Sequence, residues 1–291
     1  MRSGIGRRLL WRYAPAALLY VILGSVLLEA ARRIVLEGDA PPSPFSVVLL
    51  AVAILCPLII FSTRQMVALA VSLEMAQLEL LGVVSHAIAK RDDATEEHNF
   101  RVALMAAQLA GAIGLDRRLI PGLFVGALLH DVGKIGVPDN ILLKPAGLSP
   151  EERREMELHV VHGDGILADA NMPPGARGVV HYHHEHFDGS GYPEGRKGGE
   201  IPPEARLFAI VDVFDAMTSS RPYKQPMDLN EALEAMERGR GSHFDPAYFD
   251  IFAKIAGSLY AMVRNARVDD LQERILRLIE NYYATLDPRR C

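Results

Sequence analysis

The chain has 291 residues, 49% of them hydrophobic and 23% charged, with 36 acidic residues against 31 Lys and Arg for a formal net charge of -5. That length buries a full core with apolar residues to spare, and the acidic balance argues against broad, sequence-independent binding of duplex nucleic acid, which needs a basic face. Two cysteines, Cys56 in an apolar run and Cys291 at the last position, argue against a disulfide framework and fit a reducing compartment.

The surplus of apolar residues lies near the start. Residues 13–31, YAPAALLYVILGSVLLEAA, hold one acid, Glu29, close to the end; as a helix the run is about 28 Å long, near the thickness of a bilayer core. Residues 45–61, FSVVLLAVAILCPLIIF, carry no charge and reach about 26 Å. Two transmembrane helices are expected, so that residues 1–62 form a membrane anchor. The alternatives are a buried helical hairpin or, for the first run, a cleaved signal peptide. Against a signal peptide stand the length of the run, the lack of a clear A-x-A site and the second apolar run. Arg2, Arg7, Arg8 and Arg12 precede the first run, whereas Arg32 and Arg33 between the runs stand beside Glu37 and Asp39. This asymmetry puts both ends in the cytosol, and the expected location is the inner (cytoplasmic) membrane. The short connection, with Pro41, Pro42 and Pro44, is a turn too small for a sensor domain.

From Ser62 to Lys90 there is no Pro and one Gly, and Met66, Leu69, Leu73, Ala76, Leu80, Val83 and Ala87 recur at alternating spacings of three and four. That spacing predicts a linker helix over 63–90 with an a/d seam. Two readings of the seam stay open, a coiled coil holding a homodimer and an amphipathic helix packed on its own domain. Beyond Lys90 the apolar spacing is helical again: EEHNFRVALMAAQLAGAIG stops at Gly114, and RRLIPGLFVGALLHDVGK comes next after an early Pro121-Gly122 break. Strand-like alternation is scarce, so residues 91–291 are expected to be an all-α domain in the cytosol.

LLHDVGKIGVP, residues 128–138, sets His130 and Asp131 directly behind two leucines, where a buried helix would place apolar side chains. Seven residues form a candidate metal site: His98, His130, Asp131, His159, His183, His184 and Asp212. Imidazole and carboxylate without thiolate suit iron, manganese or zinc, and more than four such ligands suggest two ions sharing a bridging carboxylate. Taken singly, each has a plainer explanation. His98 lies on a polar stretch, His159 suits a helix face, and His183 and His184 belong to the tract HYHHEH. Asp212 differs, because an acid within the apolar LFAIVDVFDAM needs a partner if buried.

HDVGKIGVPDNILLKP, MELHVVHGDGIL, HHEHFDGSGYP and AIVDVFDAMTSSRPYK, in this order and with HFDP after them, are together similar to the HD-GYP family of cyclic di-GMP phosphodiesterases over about residues 80–260. The resemblance implies a helical bundle with the metal centre between facing helices. It implies that His98, His130, Asp131 and Asp212 form the basic quartet, that His159, His183 and His184 hold a second ion, and that Asp131 bridges. Lys134 matches the lysine that reaches a substrate phosphate, and Arg221 the arginine near the guanine or phosphate end of the substrate. Family members with three metals place a glutamate four residues before the first histidine; Ala94 stands there, so two divalent ions, iron or manganese, are expected. His186 stands where many members carry Arg or Lys, which weakens the charge beside the loop at neutral pH.

The DGSGYP segment is expected to be a loop, with Gly189 and Gly191 permitting positive φ or close approach and Pro193 stiffening the chain beyond it. By resemblance it shapes the pocket wall and offers a surface to signalling proteins. Tyr192 is a candidate for stacking on a base or for packing within the loop. Lys224, with Arg221, would meet a dinucleotide's two phosphates, or lie in a solvated loop. The resulting expectation is a membrane-anchored enzyme hydrolysing cyclic di-GMP to pGpG, with the further step to GMP left open, and with Asp131 and Lys134 catalytic. The alternatives are a binding or adaptor module without turnover, and an HD phosphohydrolase acting on another cyclic dinucleotide.

Overall fold

A computed structural model describes residues 24–25, 29, 32, 44–89, 91, 96–219 and 225–285. Most of the first apolar run, the N-terminal arginines, Ala94, Arg221 and Lys224 lie outside the described residues. The chain divides into two compact units, Met1–Glu74 and Met75–Cys291, a boundary inside the expected linker helix.

Helix α1, Pro44–Ala89, runs through the second apolar run and the linker without a break. Its window Ala51–Ala70 is long and apolar enough to cross a membrane, and none of it is buried. Val52, Leu55, Leu58, Ile59 and Phe61 all face outward. A second stretch, Arg117–Gly136, passes the same test of length and composition, but 61% of it is buried. It is a core segment of the second unit, and hydropathy alone does not separate it from a span.

Among the described residues the second unit is all-α, with one isolated bridge between Arg240 and Phe244. Its elements are α2 (Glu96–Ile113), α3 (Ile120–Leu129), a 3-10 turn (Val132–Gly136), α4 (Asp139–Leu142), α5 (Pro150–Glu157), α6 (His159–Leu167), α7 (Ala176–Tyr182), α8 (Pro203–Thr218), α9 (Leu229–Glu237), α10 (Pro246–Val263) and α11 (Val268–Thr285). Helix α2 is the hub, packed against α3, α8, α10 and α11. Phe208, Phe214, Phe249, Phe252, Leu104 and Leu109 fill the main core. A smaller core of Val125, Leu129, Val132, Leu167, Ala176 and Val180 lies under α3, the 3-10 turn, α6 and α7.

Local chemistry sets the helix ends. Helix α2 stops before Gly114, whose φ of 72° is a left-handed conformation glycine adopts without strain. Pro121, expected to break the next helix, instead stands in its first turn, where its missing N–H costs nothing. Reciprocal capping boxes start α5 (Ser149 with Glu152) and α9 (Asp228 with Glu231), and Asp245 caps α10. The 3-10 turn lies so close to α6 that a Cβ on Gly133 would stand 1.8 Å from the His159 carbonyl oxygen. Only glycine lets the backbone carrying Asp131 and Lys134 approach the helix carrying His159.

The last turns of α1 belong to the second unit and pack on α2. Ser85 is buried and accepts a hydrogen bond from Asn99 Nδ2, and Gly82 lies against Phe100. The predicted seam is on another face: Met66, Leu69, Leu73, Leu80 and Val83 are each at least 60% exposed. Within the second unit, the seam residues Leu80 and Val83 therefore stay uncovered.

Candidate metal centre

Helix α2 brings His98 into the centre in its first turn, where the ring is buried. His130 is the residue that closes α3, with Asp131 starting the 3-10 turn, and His159 opens α6. His183 closes α7 with His184 after it, and Asp212 lies within α8. Ligand atoms of His98, His130 and Asp212 lie within 4.8 Å of one another, and so do those of His159, His183 and His184. Asp131 stands between the two groups: its Oδ2 is 3.1 Å from His130 Nε2 and its Oδ1 is 3.5 Å from His159 Nε2. The rings form a continuous chain, with centroid separations of 5.4 Å for His98–His130, 5.2 Å for His130–His183 and 5.2 Å for His159–His184. All seven predicted residues converge.

Backbone carbonyls orient three of the imidazoles. Nδ1 of His130 faces the Ala127 carbonyl oxygen at 2.9 Å, that of His159 faces Met156 at 2.9 Å, and that of His183 faces Val179 and Val180, each at 3.1 Å. An N–H on Nδ1 satisfies these acceptors and leaves a lone pair on each Nε2. Nε2 of His159 and of His183 is buried with no hydrogen-bond partner. A buried, unpartnered nitrogen is costly in a protein interior, and two of them aimed into a group of imidazoles and carboxylates fit metal coordination. The donor set is nitrogen and oxygen without sulfur, which suits iron, manganese or zinc.

The electrostatics differ across the centre. Burial lowers the pKa of His159, His183 and His184, that of His184 to about 3, and neighbouring imidazoles lower His183 and His184 further. These rings are therefore neutral at pH 7, the form a metal takes. Burial also opposes the charge of His98, but hydrogen bonds and the fields of Asp212 and Asp215 outweigh it and raise that pKa to about 9. For Asp131 the burial cost is overcome by His130 and Lys134, which hold the carboxyl well below its usual range. Lys134 Nζ is 2.8 Å from Asp131 Oδ2. The predicted lysine and the predicted bridging acid are thus in contact.

Two members, Asp215 and Arg101, escaped sequence reading. Asp215, 1% exposed, accepts from His98 Nδ1 at 2.8 Å and from Arg101 Nε and Nη2 at 2.7 and 2.9 Å. The signal was present: His98 and Arg101 are three apart on α2, and Asp212 and Asp215 three apart on α8, so each pair shares a helix face. What was missing was any indication that the two faces meet.

The DGSGYP segment is a loop, as expected. A Cβ on Gly191 would stand 2.3 Å from the His186 nitrogen and 2.4 Å from the His184 carbonyl oxygen, so the loop folds back onto the chain that carries the histidines. The Tyr192–Pro193 peptide is cis, Tyr192 N–H donates to His184 O at 3.2 Å, and Glu194 N–H donates to the buried Glu185 Oε1 at 2.8 Å. The Tyr192 ring packs on His184 with centroids 4.8 Å apart. His186 stacks on His243 at 4.0 Å and its Nδ1 is 3.0 Å from Ser190 Oγ.

The HD domain family profile matches residues 82–248. A cyclic di-GMP phosphodiesterase of Thermotoga maritima is 38% identical over 195 residues, covering 66% of this chain and 52% of that protein. A 3'3'-cGAMP-specific phosphodiesterase 2 of Vibrio cholerae is 35% identical over 206 residues, 68% of this chain and 40% of that protein. The chain spans about half the length, or less, of these curated relatives. Among solved structures, that of a cyclic GMP-AMP specific phosphodiesterase of V. cholerae matches with a TM-score of 0.53 at 19% identity, over 68% of this chain and 52% of that one. At that identity the likeness concerns the fold alone.

Proposed function

Because the chain belongs to the HD domain family, in its HD-GYP branch, we propose that it is a membrane-anchored, metal-dependent phosphodiesterase that linearises cyclic di-GMP to pGpG. The observation that carries this reading is the convergence of two three-ligand groups on Asp131, with the buried Nε2 atoms of His159 and His183 lacking any other partner. His98, His130 and Asp212 would hold one divalent ion, His159, His183 and His184 the other, and Asp131 would bridge. The bound ions would neutralise the phosphate and supply a water nucleophile ready at neutral pH.

The chain's own residues do the rest. The carbonyl-bound Nδ1 atoms hold the ligand rings in one orientation before substrate arrives, so no reorganisation is needed during reaction. Lys134, 19% exposed, presents an ammonium to the equatorial phosphate oxygens as they gain negative charge. Arg221 and Lys224 are assigned to the substrate's second phosphate or guanine. Tyr192 closes the wall beside His184 and offers its remaining face to a base. The apolar part of α1 and the run at 13–31 anchor the chain in the inner membrane. The exposed seam from Met66 to Val83 joins two copies, because its 3-4 spacing matches a second helix of the same kind.

The test is hydrolysis by the full-length chain in detergent, loaded with Mn²⁺ or Fe²⁺ under reducing conditions and given cyclic di-GMP and 3'3'-cGAMP side by side. Linear product from cyclic di-GMP is expected, and it should be lost in His130→Ala and Asp131→Ala with helical circular dichroism retained. Absence of product with either metal would remove the enzymatic reading. Preferential turnover of 3'3'-cGAMP would favour the second reading, a phosphodiesterase for mixed cyclic dinucleotides, which rests on the 35% identity to the Vibrio protein.

A further inference from the structure

The guanidinium of Arg91 makes five hydrogen bonds, none of them to a predicted metal ligand. Nη1 donates to the carbonyl oxygens of Lys134 at 3.0 Å and Ile135 at 2.7 Å. Nη2 donates to the Val137 carbonyl at 3.0 Å and to Asp139 Oδ1 at 2.6 Å, and Nε donates to the same carboxylate oxygen at 3.1 Å. Three carbonyls within four consecutive residues therefore turn toward one side chain. They lie at the end of the 3-10 turn Val132–Gly136, where a short helix runs out of its own donors. A planar fork of fixed N–H directions suits several acceptors at once, which an ammonium on a flexible stem does not.

At its other end Arg91 belongs to the long helix. Its backbone N–H donates to Ile88 O at 2.9 Å, and the last turns of that helix are held on α2 by Ser85 and Asn99. Arg91 is therefore rooted on the end of α1 and closes over a turn 43 to 48 residues away in sequence.

We propose that Arg91 is a positioning residue for Lys134. By holding the backbone of residues 134–137 it sets where the lysine ammonium stands, and through its root on α1 it makes that setting follow the end of the helix that comes from the apolar segment. The inference rests on the reading that Lys134 acts on the substrate phosphate. Arg91 itself touches neither substrate nor ligand side chains.

The test compares Arg91→Ala, Arg91→Lys and Asp139→Asn in the full-length chain. Arg91→Ala should lower kcat about 10-fold to 100-fold, with KM changed by less than about threefold and metal content per chain equal to the parent's. In a Lys134→Ala background the same substitution should change kcat by less than about threefold, because residues acting as a unit are not additive. Arg91→Lys and Asp139→Asn should give intermediate losses with the same pattern, and they carry the comparison if Arg91→Ala fails to fold. Equal losses in both backgrounds, or an unchanged kcat in Arg91→Ala, would overturn the inference. Amide hydrogen exchange gives a readout independent of turnover: residues 133–139 should exchange at least about tenfold faster in each variant while residues 100–110 do not change. If the parent chain has no activity, the functional reading fails, and unchanged exchange at 133–139 then separately rejects the positioning role.

Discussion

Asp215 is 1% exposed and remains charged because three N–H groups, two from Arg101 and one from His98, surround its oxygens. Burial would raise its pKa, but the hydrogen bonds from His98 and Arg101 lower it on balance. A carboxylate on the far nitrogen of a ligand histidine fixes the ring and strengthens the lone pair that faces the metal. Asp215→Asn should therefore weaken metal affinity about 10-fold to 100-fold, measured by titrating the metal-free protein, while the larger Asp215→Ala change also strands the Arg101 charge and lowers stability. Affinity equal to the parent's in Asp215→Asn would exclude the orienting role. A second residue-scale expectation concerns His243, whose pKa is lowered to about 4 by burial and by His186, against the opposing fields of Asp212 and Asp188. Its folded pKa lies below the ordinary 6.5, so the unfolded chain binds the extra proton between pH 6.5 and 4, and stability falls as pH drops through that window. His243→Asn should remove up to about 1.4 kcal/mol per pH unit of that slope. Denaturation midpoints that run parallel for the two proteins across this acid range would rule this out. The spacing of Asp215 from Asp212 and the HFDP motif that holds His243 were visible in the sequence, but the contacts they make with His98, Arg101 and His186 were not, because those partners lie on distant segments.

At the scale of elements, α1 has two faces with different fates. Ser85 and Gly82 point into the second unit, whereas Leu73 and Leu80 stay at least 60% exposed. An isolated helix does not hold such a row in water at no cost; each fully buried leucine contributes about 1.5–3 kcal/mol. If the seam joins two copies as proposed, Leu73→Glu with Leu80→Glu should shift the detergent-solubilised chain from dimer to monomer, read as molar mass by light scattering. An unchanged dimer would place the interface elsewhere. The spacing of the seam was legible in the sequence, but its partner was not, because a 3-4 repeat is the same whether its partner is in the same chain or another. Helix α3 makes the complementary point. The stretch that contains it, Arg117–Gly136, matches a membrane span in length and composition, and the burial of Leu123, Leu128 and Leu129 among other helices identifies it as core.

Across the whole second unit, the seven predicted ligands come from α2, the α3 end with the adjoining turn, α6, the α7 end and α8. A metal bound there cross-links most of the unit, and anything that binds only the folded state stabilises it by mass action. Removing metal with a chelator should lower the melting temperature, by an amount corresponding to about 2.7 kcal/mol when free metal had stood at about 100 times its dissociation constant. The same treatment of His130→Ala should have a much smaller effect. A chelator that leaves the parent's melting temperature unchanged would show that the cluster holds no metal.

The sequence by itself determined the chemistry available: imidazole and carboxylate at particular separations, a lysine one turn past His130-Asp131, glycines where chains must touch, and apolar runs long enough to span a bilayer. These come from residue identity and local spacing, which read the same in any environment. Only the tertiary structure decided that predicted ligands more than a hundred positions apart meet in two groups around Asp131, which nitrogen of His130, His159 and His183 faces inward, and that Arg91 closes over the Lys134 turn. Those facts depend on how helices pack, and packing is a sum over contacts between distant segments that no local pattern contains.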